Sequence, residues 1–197
     1  IFSVACMVLG VLLMSMLAFA LSKRGLKGKK AMSFYVYFTM LFSGGLVPTY
    51  ILITQYLHLA DTIWVYIVTG LVGPWYVFML RTFFQGIPYE ITEAAIIDGA
   101  NEFKIFAQFI IPMSKPAIAT IALFMFLGKW NDWNTALLYI NNEDLVSLQY
   151  LLQRIMQNIQ IMTEDPNIAA LFEDDIPAET VRMALAVVVA GPALVVF

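Results

Sequence analysis

Long apolar runs alternate with short polar segments along the whole chain. The first run, Ile1 to Leu21, holds only Ser3, Gly10 and Ser15 among apolar side chains, and at 1.5 Å per residue it covers roughly 30 Å, the thickness of a bilayer core. It predicts a first spanning helix. A second is predicted from Met32 to Pro48, where Ser43, Gly44 and Gly45 near the outer end let neighbouring helices approach. A third runs from Ile63 to Leu80, with Trp64 and Tyr66 as outer-interface anchors and Gly70, Gly73 and Pro74 as a mid-membrane interruption. A water-filled path, close helix packing and a simple kink are all compatible with such a break. The fourth starts near Pro116 and the last near Val181. The pattern is that of an all-α, polytopic membrane protein with about five spans in one transmembrane domain, residues 1–197. Both ends fall inside apolar runs, so further elements are expected beyond them.

The polar segments orient the spans. Lys23, Arg24, Lys27, Lys29 and Lys30 crowd the loop Ser22 to Ala31 without an acid, and Arg81, Lys104 and Lys115 lie in the segment 81–115. Eight of the eleven Lys and Arg thus fall on one side, which the positive-inside rule makes cytoplasmic. The segment 134–178 is external and acidic, with Arg154 against seven carboxylates. Within it, Leu145 to Met162 has helical apolar spacing through Leu148, Leu151, Leu152, Ile155 and Ile159. Thr49 to Thr62, the other external segment, carries His58 and Asp61 alone, and a lone interfacial His is far more often solvated than a ligand.

Composition agrees: 61% of residues are hydrophobic and 13% charged, against a usual 45–50% and about 25% in soluble domains. The basic residues form no nucleic-acid stripe, and Cys6, the single cysteine, reads as a packing residue. No metal-ligand set is expected.

Segment 81–115 carries the most particular pattern. Pro88 suits a first helical turn, Glu90 complements its dipole and Gly99 is a natural stop, predicting a helix from about Pro88 to Asp98. Asn101 caps a second helix with an apolar stripe of Phe103, Phe106, Phe109 and Ile110, ended by Pro112. The two make an elbow parallel to the membrane, outside the lipid. Ala94, Ala95 and Gly99 leave its surface smooth, and nothing in it looks catalytic.

EAAIIDGANEFKIFAQFIIPMSKP, residues 93–116, resembles the EAA loop of permease subunits of binding-protein-dependent ABC importers. Glu93, Ala94, Ala95, Asp98, Gly99, Ala100 and Pro112 match the pattern, while Ile111 stands where Leu is usual. FFQGIPYE is similar to the approach in maltose-type (MalG-like) carbohydrate permeases; WNDWNTALLYI and LVSLQYLLQRI resemble the LplC-like branch, associated with oligosaccharides and polysaccharide fragments. The resemblance implies a type I ABC importer transmembrane core (MetI-like) in a bacterial inner membrane. It also implies a second homologous permease subunit, an ATP-binding cassette ATPase dimer and an extracytoplasmic solute-binding protein as partners. Glu93 would pair with a basic ATPase residue, Ala94 and Ala95 would allow close docking and Gly99 would form the bend. GLKGKK lacks the Walker spacing, so ATP and Mg belong on the partner ATPase, with no cofactor and no enzymatic activity in this chain.

The candidate substrate pathway is Lys129, Trp130, Asn131, Asp132 and Trp133. Aromatic faces beside hydrogen-bonding groups suit a sugar, and Lys129 neutralises Asp132 or faces an acidic sugar; an aromatic belt at the membrane interface explains the residues equally well. The function expected is one half of a permease for a carbohydrate, an oligosaccharide, coupled through the elbow. The alternatives are an ABC permease for a non-sugar solute, a non-transporting scaffold, and an ion-gradient-driven transporter, which calls for paired carboxylates deep in the spans.

Overall fold

The structure, a computed structural model, describes residues 2–164 together with 180, 183, 184 and 186–191. Every regular element among them is helical: α1 (Phe2–Ser22), α2 (Lys29–Leu41), α3 (Leu46–Ile51), α4 (Ile63–Val68), α5 (Pro74–Gln85), α6 (Tyr89–Ile97), α7 (Glu102–Ile105), α8 (Ile111–Met113), α9 (Lys115–Trp130), α10 (Asn134–Tyr139) and α11 (Leu148–Glu164). Two π-helical stretches, Leu52–Tyr56 and Phe106–Ile110, continue α3 and α7. The chain forms two compact units, Ile1–His58 with Tyr66–Lys129, and Leu59–Val65 with Trp130–Phe197.

In the first unit α1 is the central element. It is apolar all round, so hydrophobicity does not mark its buried face; size does. Ser3, Cys6, Gly10, Met14, Ser15, Ala18 and Leu21 are its buried residues, a helically spaced and mostly small stripe of the kind that lets helices approach closely in a membrane. Met14, Ala18 and Leu21 share one apolar cluster with Val77, Leu80 and Phe84 of α5, Ala95 of α6, Ile105 and Ile110 of the elbow, and Ile121 and Met125 of α9.

The expected third span is broken where Gly70, Gly73 and Pro74 interrupt it, leaving α4 and α5. Pro74 occupies the first turn of α5, where its missing N–H costs nothing. Backbone groups at such a break need partners in a lipid environment, and two sulfurs of α1 add to those the backbone itself supplies, such as the Gly70 N–H bonded to the Ile67 carbonyl at 3.1 Å. The Cys6 thiol donates to the Ile67 carbonyl at 3.7 Å, and Met14 Sδ accepts the Gly73 N–H at 3.2 Å. Tyr66, expected as an interface anchor, is instead a core residue, only 1% exposed and stacked on Phe2 with ring centroids 4.4 Å apart.

The expected second span is also broken. α2 buries no side chain, and the chain turns by 110° before Leu46–Tyr56. Gly45 takes φ 86° with open space around it, so Ser43 to Gly45 serve a turn, not a close helix approach within this chain. Of the described helices, α1 alone is long and apolar enough to cross a bilayer by itself, and up to three spans result if each bent pair counts as one. The expected last span from Val181 lies largely outside the described residues.

In the second unit, Ser147 Oγ accepts the Tyr150 N–H at 3.2 Å and caps α11, which therefore starts later than the apolar spacing from Leu145 suggests. Leu152 and Ile159 are its buried residues.

Gly10 is the tightest point of the α1 stripe. A Cβ there would sit 2.9 Å from the Leu71 carbonyl oxygen and against the Met125 methyl. The methyl can swing away; the backbone oxygen cannot. Gly10→Ala is therefore expected to destabilise the first unit by roughly 1–3 kcal/mol, the usual cost of overpacking, read as a lowered midpoint in thermal unfolding of the detergent-solubilised protein.

Candidate functional site

The elbow forms where the sequence places it. Pro88 precedes α6, Glu90 lies in its first turn and Asp98 is its C-cap. Gly99 has φ 76°. Its N–H bonds to the Ile96 carbonyl at 2.9 Å, and the Ala100 N–H bonds to the Ala95 carbonyl at 2.9 Å. This pair of bonds is the Schellman motif, which requires a left-handed residue at Gly99's position. Two residues on, the Asn101 carboxamide oxygen accepts the Lys104 N–H at 2.8 Å and opens α7.

The second arm differs from expectation. Pro112 does not end it: the helix runs on through α8 to Met113. Proline has no N–H and its ring collides with the carbonyl four residues back. The π turn upstream absorbs this change by passing the Ile111 N–H to the Phe106 carbonyl. The chain then bends by 81° between Glu102–Met113 and Lys115–Trp130. Phe106 and Ile110 are buried, whereas Phe103 is 69% exposed and off the stripe.

The elbow has two distinct faces. Ala95 points inward, 4% exposed, as part of the core cluster, so it cannot itself contact a partner. Glu93, Ala94, Asp98 and Gly99 are exposed, and Ala100 is half-buried. Ile97 is 85% exposed and lies one turn from Glu93. Ile97 is not singled out in the sequence, and Phe103 is placed there on the buried stripe instead; a bulky apolar residue two positions before a left-handed glycine is the available signal for Ile97.

Residues read only as a topology signal also reach the elbow. Lys23 forms an ion pair with Glu102 at the start of α7 and lies over the Phe19 ring at 4.8 Å. Arg24 lies over the Tyr89 ring of α6, also at 4.8 Å. The first basic loop therefore straps α6 and α7 to the end of α1.

Several of the candidate substrate-pathway residues have partners within the fold. Asp132 caps α10, its carboxylate accepting the Thr135 N–H at 3.0 Å and the Thr135 hydroxyl at 2.8 Å. The Trp130 indole N–H donates to the Val189 carbonyl at 3.3 Å, and the Asn131 carboxamide oxygen accepts from Gln149 at 3.4 Å. Trp133 remains exposed. Lys129 lies in the first unit, its side chain against Gly70 at the break between α4 and α5.

Asp61 is not alone either. Its carboxylate accepts the backbone N–H of Asn141, that of Asn142 at 3.0 Å, and the Asn141 carboxamide N–H at 3.3 Å. Its own N–H donates to the Tyr139 carbonyl at 3.0 Å. Asp61 has φ 53°, a left-handed conformation that Asp tolerates better than most side chains. No spacing rule links positions eighty residues apart, so these bonds were not legible beforehand.

A protein family described as "Binding-protein-dependent transport system inner membrane component" matches residues 2–197. The polygalacturonan/rhamnogalacturonan transport system permease protein YtcP of Bacillus subtilis (strain 168) is 39% identical over 185 residues, covering 94% of this chain and 64% of YtcP. Protein LplC of the same organism is 37% identical over 183 residues, covering 92% of this chain and 60% of LplC. The chain thus spans under two thirds of the length of these relatives. Among solved structures, the crystal structure of a bacterial ABC transporter involved in the import of the acidic polysaccharide alginate superposes with a TM-score of 0.82 at 29% identity, covering 99% of this chain and 70% of that one.

Hydrogen bonds from Asn141 first, then Asn142, hold the Asp61 carboxyl below its ordinary value. A depressed folded-state pKa stabilises the fold at pH above about 4, the ordinary carboxylate value, and that contribution is lost as pH falls through the lower folded value. Hydrogen exchange at the Asn141 and Asn142 amides is expected to show protection above about pH 4 that fades below it, and Asp61→Asn is expected to weaken that protection at neutral pH and flatten its pH dependence.

Proposed function

The chain belongs to the family of binding-protein-dependent transport system inner membrane components, and from that membership we propose that it is one permease subunit of an ATP-driven carbohydrate importer. The carrying observation is the elbow: a short helix closed by a left-handed glycine, anchored from behind through Ala95, with Glu93, Ala94, Ile97 and Gly99 on its free face. An exposed apolar side chain beside an acid and a bare turn suits the surface of a protein partner better than water. The partner proposed is the ATPase subunit, which holds ATP and Mg and whose closure pushes the elbow. A second permease subunit and an external binding protein complete the assembly.

The solute proposed is an acidic oligosaccharide. Support comes from the names of the relatives: galacturonan is a polymer of a uronic acid, and alginate is named as an acidic polysaccharide. Of the candidate pathway residues, Trp133 has the free aromatic face for a sugar ring, while Trp130, Asn131 and Asp132 shape the region around it. Paired carboxylates, which an ion-driven carrier calls for, do not occur in α1 to α5 or α9.

Gly99→Val places a β-branched residue at a left-handed position, a strain of about 1–3 kcal/mol, and is expected to abolish both copurification of the ATPase and sugar uptake; Gly99→Asn retains most of both. Ile97→Asp leaves the α6 core contact through Ala95 untouched and is expected to weaken ATPase association at least tenfold, on the order of 1.4 kcal/mol or more. ATPase docking and uptake of oligogalacturonate that survive both Gly99→Val and Ile97→Asp sink the coupling reading. Loss of docking with undiminished uptake of a neutral sugar by the wild type sinks only the acidic solute.

A further inference from the structure

Behind the elbow lies a cavity of about 300 Å³ whose polar lining includes Ser22, Lys23, Arg24, Lys29, Tyr89 and Glu102, with Gln85 and Thr92. Three cations face one carboxylate there, and that carboxylate is already paired with Lys23. Lys29 Nζ donates to the carbonyls of Ser22 at 3.2 Å and Lys23 at 2.9 Å, so two of its three N–H groups are spent on the end of α1 and one is left. Arg24 has five N–H donors and makes no hydrogen bond among the described residues, only the stacking on Tyr89. Phe19, Phe84 and Ile110 are among the apolar residues of the wall.

Position adds a second constraint. The cavity sits at the end of α1, 21 residues from its start, which is one bilayer-core length at 1.5 Å per residue. It lies on the basic side of the chain, at the depth and in the leaflet where anionic headgroups gather near Lys and Arg. A pocket with free donors, uncompensated positive charge and an apolar wall fits a phosphate ester attached to something greasy.

We propose that this cavity binds a phosphate-ester anion between Arg24 and Lys29. The bound anion bridges the end of α1 to Tyr89 at the start of α6, so occupancy stiffens the strap that holds the elbow. The phosphate can come from an inner-leaflet phospholipid headgroup or from a soluble phosphate. Binding does not depend on which solute the importer carries.

The test uses the complete transporter in nanodiscs of phosphatidylcholine, with or without phosphatidylglycerol, and native mass spectrometry of retained lipid. Wild type is expected to retain phosphatidylglycerol, and Arg24→Gln with Lys29→Gln to lower retention about tenfold, the scale of losing charge-assisted hydrogen bonds. Arg24→Lys with Lys29→Arg, and Lys104→Gln elsewhere on the same side, are expected to keep it. That outcome identifies a lipid. Calorimetric binding of inorganic phosphate in phosphatidylcholine discs, lost in the Gln pair and without any phosphatidylglycerol preference, identifies a soluble source. Equal behaviour of wild type and the Gln pair in both arms overturns the proposal. A photoactivatable phosphatidylglycerol on the wild type gives a reading independent of any variant's folding: labelling in residues 22–29 and 87–92 supports the site with a lipid in it, and labelling confined to other segments, with no phosphate binding in the calorimetric arm, overturns the proposal.

Discussion

Close approach to α1 is the constraint on which the first unit depends. Between membrane helices the surrounding lipid is as apolar as leucine, so dispersion and shape replace the hydrophobic effect as the main source of association. A stripe running from Ser3 through Cys6 and Gly10 to Ala18 brings α1 close enough for Cys6 Sγ to reach the Ile67 carbonyl near the end of α4 and for Met14 Sδ to reach the Gly73 N–H of the 69–73 break. The Gly73 N–H, paired with Met14 Sδ, would otherwise go without a partner there, at several kcal/mol in a hydrocarbon environment. The same stripe continues to Leu21, where the elbow joins the core. Span, break and elbow therefore share one packing surface.

Legibility in the sequence followed the range of the interactions involved. Pro88, Gly99 and Asn101 were readable because caps and left-handed turns are settled within a few residues by side-chain and backbone chemistry. The buried face of α1 was not, since hydrophobic periodicity carries no signal in a helix apolar on every side. Tyr66 was misread for a related reason: an aromatic at a predicted membrane boundary has the same sequence signature whether it faces headgroups or stacks on Phe2. The π turn before Pro112 shows a different limit. Proline forbids one hydrogen bond, but whether the helix stops or widens depends on what packs around it.

The candidate cargo cluster and the elbow fared differently. Amide and carboxylate groups near Trp130 to Trp133 suggested sugar contacts, yet Asp132 and Asn131 spend hydrogen bonds within the second unit. Short polar residues cap helices and bind solutes with the same atoms, so composition could not divide the two roles. At the elbow one of the motif's small residues serves the inside: Ala95 belongs to the core cluster with residues of α1 and α5, while the neighbouring Ala94 is exposed on the outer face.

Magnitudes decide how a load on that outer face reaches the spans. The Lys23–Glu102 pair is largely solvent-accessible on the Glu102 side, with 63% exposure, and exposed pairs contribute only about 0–1 kcal/mol. Ala95, by contrast, belongs to a fully desolvated cluster with Leu21, Leu80, Phe84 and Ile105, where deleting a single large side chain costs about 2–5 kcal/mol. Under the proposed coupling, a push on Ile97 would therefore travel through α6 toward α1 and α5 by packing, with little contribution from the ion pair. The 81° bend at Met113–Lys115 sets α9 apart from the elbow, and Ile121 and Met125 join it to the core cluster, with Met125 against Gly10. At Gly10 the Met125 methyl and the Leu71 carbonyl converge on α1, so this glycine is where α9 and the 69–73 backbone meet the small-residue stripe.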